Sequence, residues 1–235
     1  MATPEPSQHP TAAQAEERGS ALVLLPIAAT LDYYSLPDWL QEQTAMQLGP
    51  QFIAYLACAL WATRNPGLIH RFGLEEHKLG RGLRWGLLVG LVLGCANSLV
   101  ILKLFPALGY DITFLRQTPH AQLPLFVMVP WFICAIALFV ELNFRGFLLG
   151  RLLAMGNAAV ASPCLASALA VGISALTFSF DPFMTHTFRD LHWIAVWDGA
   201  VWGLCWITTH NLYLPIAAHA VEVIVMYSVV RSALL

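Results

Sequence analysis

The chain has 235 residues, 58% of them hydrophobic and only 11% charged, and its formal net charge is −2. Soluble domains carry about 25% charged residues, so this set cannot clothe a water-exposed surface. No basic field and no basic cluster with interleaved aromatics points to nucleic acid, and the composition predicts an all-α, polytopic transmembrane helix bundle.

Residues Met1 to Ser20 hold Pro, Gln, Ala and three glutamates with almost no large apolar side chain, and read as a disordered polar tail. The tail starts acidic where a secretory signal starts basic, so it is expected to stay on the mature protein. Residues 21–235 contain no polar linker and read as one transmembrane helical domain.

Two short apolar stretches come first, Ala21 to Leu31, cut by Asp32, and Gln51 to Ala62, opened by Pro50. Each fits a tilted span, a half-span or an interfacial helix. Crossing a bilayer takes about 20 largely apolar residues. The clearer spans are Leu83 to Phe105, Leu123 to Val140, Ala158 to Phe180, Leu191 to Thr209 and Leu212 to about Leu234, giving about seven membrane segments.

The loop after the second segment holds Arg64, Arg71, Lys78, Arg81 and Arg84, the densest basic cluster in the chain. An excess of Lys and Arg marks the cytoplasmic side, which also places the N-terminus there if seven segments cross. Arg145 and Arg151 are expected on the same side, after the fourth span, while Arg116 and Arg189 disagree mildly. In a bacterium such a protein would sit in the plasma (inner) membrane.

Gly86, Gly90 and Gly94 stand four apart, as do Gly146 and Gly150, and Gly199 and Gly203. Such faces let helix backbones approach closely in lipid. Pro130 is expected to kink the fourth span. Trp193, Trp197, Trp202 and Trp206 share one span and read as interface anchors and packing residues. The five cysteines each lie in an apolar stretch without metal-ligand spacing and read as small buried hydrophobes.

Ionisable groups inside spans are costly and raise a functional question. They are Glu141, Arg145, Asp198, His219 and Glu222, with Asp181, His192 and His210 near span ends. Glu141 and Arg145 are four apart and His219 and Glu222 three apart, so each pair shares a helix face. Ion pairs that fasten the bundle and a set for general acid–base chemistry both fit this spacing.

The run Val140-Glu141-Leu142-Asn143-Phe144-Arg145-Gly146-Phe147-Leu148-Leu149 resembles the first motif of the CPBP family, the CAAX-type prenyl-protein endopeptidases and bacteriocin-processing membrane proteins. Thr208 to His219 resembles its third motif, a polar turn leading into a helix that carries a His, and Ser174 to Phe178 resembles the start of the second. The likeness covers about Leu123 to Val229, with a looser match from Gly73 to Gly94.

The resemblance implies a glutamic-protease-like mechanism. The first of two adjacent glutamates and a second-motif His activate water, and third-motif residues hold the oxyanion. Here the first glutamate is replaced by Val140, the second-motif His by Pro182, with Asp181 beside it and His186 a turn later, and the last third-motif position by Val223. Glu141, Arg145, His219 and Glu222 remain as a vestigial or rearranged catalytic set, with Glu141 and His219 expected to line one cavity. Losing two members of a cooperating set rarely leaves useful activity.

The reading is therefore a pseudoprotease that binds a membrane-embedded or lipid-anchored polypeptide or serves as a membrane-complex subunit, with no cofactor and no metal. The alternatives are an active endopeptidase with a rearranged site, using Glu141 or Glu222 as base, and a small transporter or lipid-binding protein with Asp198, Glu222 and His219 as a relay. Glu75-Glu76 and Glu16-Glu17-Arg18 imitate the glutamate motif but lie in the basic loop and the tail.

Overall fold

A computed structural model describes residues 17–234, and among them there is no strand. A 3₁₀ turn, Ser20–Val23, leads into α1, Leu24–Tyr33. Next come α2, Gly49–Arg64, and α3, Leu79–Leu99, which a π-helical turn Val100–Leu104 carries on to Ala107. The remaining helices are α4, Leu125–Ala159; α5, Pro163–Ser179; α6, Ile194–Thr209; and α7, Tyr213–Leu234. Local chemistry sets several ends. Pro50 opens α2, and Ser162 caps α5 by accepting from Leu165 N at 3.4 Å ahead of Pro163. His210 ends α6 in the left-handed region, at φ 45°.

All seven expected segments are helical. As membrane spans, three qualify by length and apolar character: those within Leu68–Ala107, Leu125–Ala159 and Tyr213–Leu234. A fourth is added if α5 and the short helix after it, bent by 53°, are taken together. The described residues thus support three or four spans by this measure, where the sequence led to seven. Many large apolar side chains point outward, Leu87, Val92, Phe126 and Trp131 among them, as a lipid-facing surface requires. The chain is an integral membrane protein.

The fourth segment does not stop at Val140. It runs for 35 residues from Leu125 to Ala159, so Arg145 and Arg151 are interior helix positions and not loop charges that report topology. Both are buried, Arg145 completely. Pro130, expected to kink this span, lies in a π-helical stretch, Met128–Ala135, whose wider turns accommodate it within one continuous helix.

The chain ends of these helices sort onto two faces. On one, Trp206 Nε1 donates to Phe72 O, Lys78 Nζ to His210 O, and Asn211 Nδ2 to Lys78 O, which joins the basic loop to the α6–α7 turn. On the other, Tyr34 Oη donates to Phe180 O, Gln51 Nε2 to Asp181 Oδ1, and Arg189 lies over Phe114. Residues 1–16, most of the expected tail, lie outside the described residues. Glu17, expected in that tail, is instead seated on the basic face: it pairs with Arg151 and accepts from Trp61 Nε1, and Arg18 N donates to Asn65 Oδ1.

The glycine stripe of α3 packs on α7. A Cβ on Gly86 would fall 2.5 Å from Ala217 Cβ, and one on Gly90 equally close to Ala218 O. Only glycine permits this approach. Of the three tryptophans of α6, Trp202 and Trp206 are buried in the core, not at an interface. Cys95, Cys134 and Cys164 face outward, contrary to the packing role expected of them.

Candidate functional site

The helix α4 turns π-helical over Leu142–Leu149, directly after Glu141. Such widened turns concentrate at functional sites because they re-aim side chains within a continuous helix. Arg145 Nη1 donates to Glu141 Oε1 at 3.2 Å, and both side chains are sealed from solvent. From α7, His219 Nδ1 meets the same oxygen at 2.9 Å. The expected ion pair and the expected approach of His219 to Glu141 are therefore both present in the geometry.

Aromatic rings enclose this cluster. The guanidinium of Arg145 lies 4.8 Å from the Phe178 ring centre and 5.0 Å from that of Trp202. Trp202 also stacks on His219, at 4.4 Å and 18° between planes. A cation packed on ring faces in a water-poor interior gains electrostatically what water no longer supplies. Trp202 had no signal beyond sharing an expected span with three other tryptophans.

A second polar cluster lies beside the first. Asn97 on α3 donates through Nδ2 to Asp198 Oδ1 and Oδ2, at 3.0 and 3.1 Å, and to Glu222 Oε1 at 2.7 Å. Trp197 Nε1 donates to Asn97 Oδ1 at 2.9 Å, which fixes the amide with its NH₂ toward the acids. Sequence reasoning singled out Asp198 and Glu222 but missed Asn97. Its signal was present: one amide in an otherwise apolar, glycine-rich span.

Both clusters border a cavity of about 830 Å³, lined by Val140, Phe178, Asp198, Trp202, His219 and Glu222. Of the two residues expected to line one cavity, His219 does and Glu141 does not, and Arg145 is likewise absent from the wall. Glu141 and Arg145 stand behind it. At other points it reaches Asp181, which caps the short helix Pro182–Phe188 and accepts from Gln51 Nε2 at 2.9 Å and Phe183 N at 3.1 Å. Arg116 and Arg231 also border it.

The structure keeps other ionisable residues apart from this site. His210 packs against His70 O on the basic face, and His192 Nδ1 lies against Arg189 O. Glu75 is tied to His70 and Lys78 in the basic loop. His186, one turn beyond Pro182, does not line the cavity. Among the described residues no three His, Cys, Asp or Glu side chains converge as a metal-binding group.

Residues 122–225, a little under half of the chain, match the model of a family described as type II CAAX prenyl endopeptidase Rce1-like. No curated protein and no solved structure is significantly similar to the chain. The matched stretch runs from the start of α4 into α7 and contains Glu141, Arg145, Asp198, His219 and Glu222, while Asn97 lies outside it. Over these residues the chain is similar to the CPBP and CAAX-type endopeptidases, as the three motifs indicated.

Proposed function

We propose that this integral membrane protein, similar over α4 to α7 to the CAAX-type prenyl endopeptidases, is a catalytically silent relative that holds a membrane-embedded or lipid-anchored polypeptide in the cavity. One observation carries the reading. The cavity wall at the first motif position is Val140, a residue that cannot take a proton, and the adjacent Glu141 is sealed behind that wall. Water attack needs a base within about 3 Å of the water. Glu141 is already engaged by Arg145 and His219 and has no face on the cavity. Mostly apolar walls with a few convergent polar groups suit an apolar ligand. Permanent occupancy of the same cavity would make the protein a membrane-complex subunit. The basic face, with its excess of Lys and Arg, is assigned to the cytoplasm and brings the N-terminus with it.

Endopeptidase activity from a rearranged site is the second reading, favoured by the 2.9 Å contact of His219 Nδ1 with Glu141 Oε1. A paired acid and His within hydrogen-bond reach is what acid–base catalysis requires. In that reading Glu141 or Glu222 is the base.

The test uses the full chain in lipid nanodiscs and a fluorescent N-palmitoyl apolar hexapeptide. Saturable binding, competed by unlabelled peptide and with the peptide intact by mass spectrometry, is the expected result. Cleaved peptide accumulating with time favours the second reading. Absence of both binding and cleavage removes both.

A further inference from the structure

Asn97 and Asp198 lie outside the three motifs, and with Glu222 they form a cluster to which three helices contribute. All three side chains are buried, and Asp198 and Glu222 form part of the cavity wall. Asn97 holds one oxygen of Glu222. The other, Oε2, is buried and meets no hydrogen-bond donor.

The charges around it do not balance. Glu141, Asp198 and Glu222 all act on Arg145, which is the one permanent cation of the cluster. His219 adds a charge only when protonated, and it is bonded to Glu141. A buried carboxylate without a compensating cation is strongly disfavoured in apolar surroundings, so the pair at the cavity wall calls for a proton or for a positive group on the ligand.

We infer that Asp198 and Glu222, oriented by Asn97, recognise a single ammonium or guanidinium group, the side chain of one Lys or Arg in the otherwise apolar polypeptide held in the cavity. The inference rests on the binding function proposed above and names the feature that selects the ligand. A Lys or Arg within a membrane is costly alone and settles where acids meet it. The cation supplies the positive charge that the buried carboxyls lack, so each partner relieves the desolvation cost of the other. The site suits an organic cation better than a metal. Hard metal ions gather six or more oxygen ligands or keep several waters, and here two carboxyl groups face an apolar cavity. Position within the cavity is also selected. Arg231 lies nine residues beyond Glu222 on α7, about 13 Å at the helical rise, and with Arg116 it disfavours a cation at that end.

The experiment compares two N-palmitoyl Leu/Ala hexapeptides that differ at one central residue, Lys or the uncharged norleucine, titrated into the full chain in nanodiscs. Wild-type protein should bind the Lys peptide about tenfold or more tightly than the norleucine peptide. Asp198→Asn with Glu222→Gln should abolish the preference, so that the Lys peptide binds no more tightly than the norleucine peptide. Equal binding of both peptides by wild-type protein overturns the cation site and leaves the binding function intact. A preference that survives a folded double variant overturns it as well. If neither peptide binds, the inference falls together with the function it rests on. The wild-type comparison decides even if the double variant fails to fold.

Discussion

His219 Nδ1 and Glu141 Oε1 are 2.9 Å apart, joining α7 to α4 across 78 residues of sequence. The same carboxylate oxygen takes Arg145 Nη1 from one turn further along its own helix. One glutamate oxygen is thus the meeting point of a cation and an imidazole in a dry interior. This is the arrangement of a structural clasp, since Glu141 and Arg145 are sealed from solvent and His219, which borders the cavity, points Nδ1 at Glu141.

The clasp makes Arg145 the most sensitive ionic position. Arg145→Ala leaves Glu141 buried with His219 as its remaining partner. Removing one member of a buried pair costs roughly 3–5 kcal/mol. Thermal unfolding of the purified variant in mild detergent should show a correspondingly large loss. An unchanged midpoint would mean the pair contributes nothing to stability.

Glycines in the bundle should respond with opposite signs according to what their missing Cβ would meet. At Gly90 a Cβ would fall 2.5 Å from Ala218 O and 2.8 Å from Val221 Cβ, whereas nothing lies within 4 Å at Gly172 in α5. Gly90→Ala must push α3 off α7 and should cost about 1–3 kcal/mol. Gly172→Ala should be neutral or stabilising by up to about 1 kcal/mol, because alanine is the better helix former. The ranking is measured by detergent melts of the two variants side by side.

Glu75 in the basic loop supplies a pH signature outside the membrane. Burial pushes its carboxyl up, but hydrogen bonds from Lys78, His70 and its own backbone, with the Lys78 charge, outweigh this and hold it down at about 2 against an ordinary 4.5. A depressed carboxylate stabilises the fold above its unfolded value and loses that contribution as pH falls toward the folded one. Wild type should therefore exceed Glu75→Gln in stability by a constant margin above pH 4.5, and the margin should close between pH 4.5 and 2. Melting midpoints of the two proteins across that range supply the check. A margin independent of pH would remove the carboxylate as its source.

The positions of the helices were legible because apolar runs and glycine spacing report directly on lipid exposure and close packing. Gly86, Gly90 and Gly94 form the close-packing face their spacing implied, and its partner is α7. Glu141 and Arg145 were legible because four residues of helix bring them together whatever surrounds them. What the sequence hid was depth and partnership. Arg145 and Arg151 read as the charges that end a span, yet aromatic faces and Glu141 or Glu17 let both sit inside a helix that continues to Ala159. Asn97 meets Asp198 and Glu222 across 101 and 125 residues, a separation that no local pattern encodes. Glu17 looked like part of a polar tail because its partners, Trp61 and Arg151, come from distant segments.

The last prediction concerns hydrolysis, and it turns on what the cavity presents at position 140. Val140 borders the cavity and Glu141 does not, while Asp181, beside Pro182, is occupied by Gln51 and by the helix N-terminus it caps. A peptide carbonyl in this cavity would meet His219 as a partner for a developing oxyanion, but no free base aligned with a water at the first motif position. Wild-type protein should therefore leave prenylated and single-span peptides intact over long incubations followed by mass spectrometry. The constructive arm is Val140→Glu combined with Pro182→His. It places a carboxylate on the cavity wall and a His at the second motif position, at the expense of a proline that opens the short helix. Gain of cleavage in that variant alone would identify the two substitutions as what silenced the site. Turnover by the wild type that disappears in Glu141→Gln would make Glu141 the base and replace the binding-only reading with a rearranged peptidase. Turnover that survives both Glu141→Gln and His219→Ala, but not Asp198→Asn, would move the chemistry to the carboxyl pair held by Asn97.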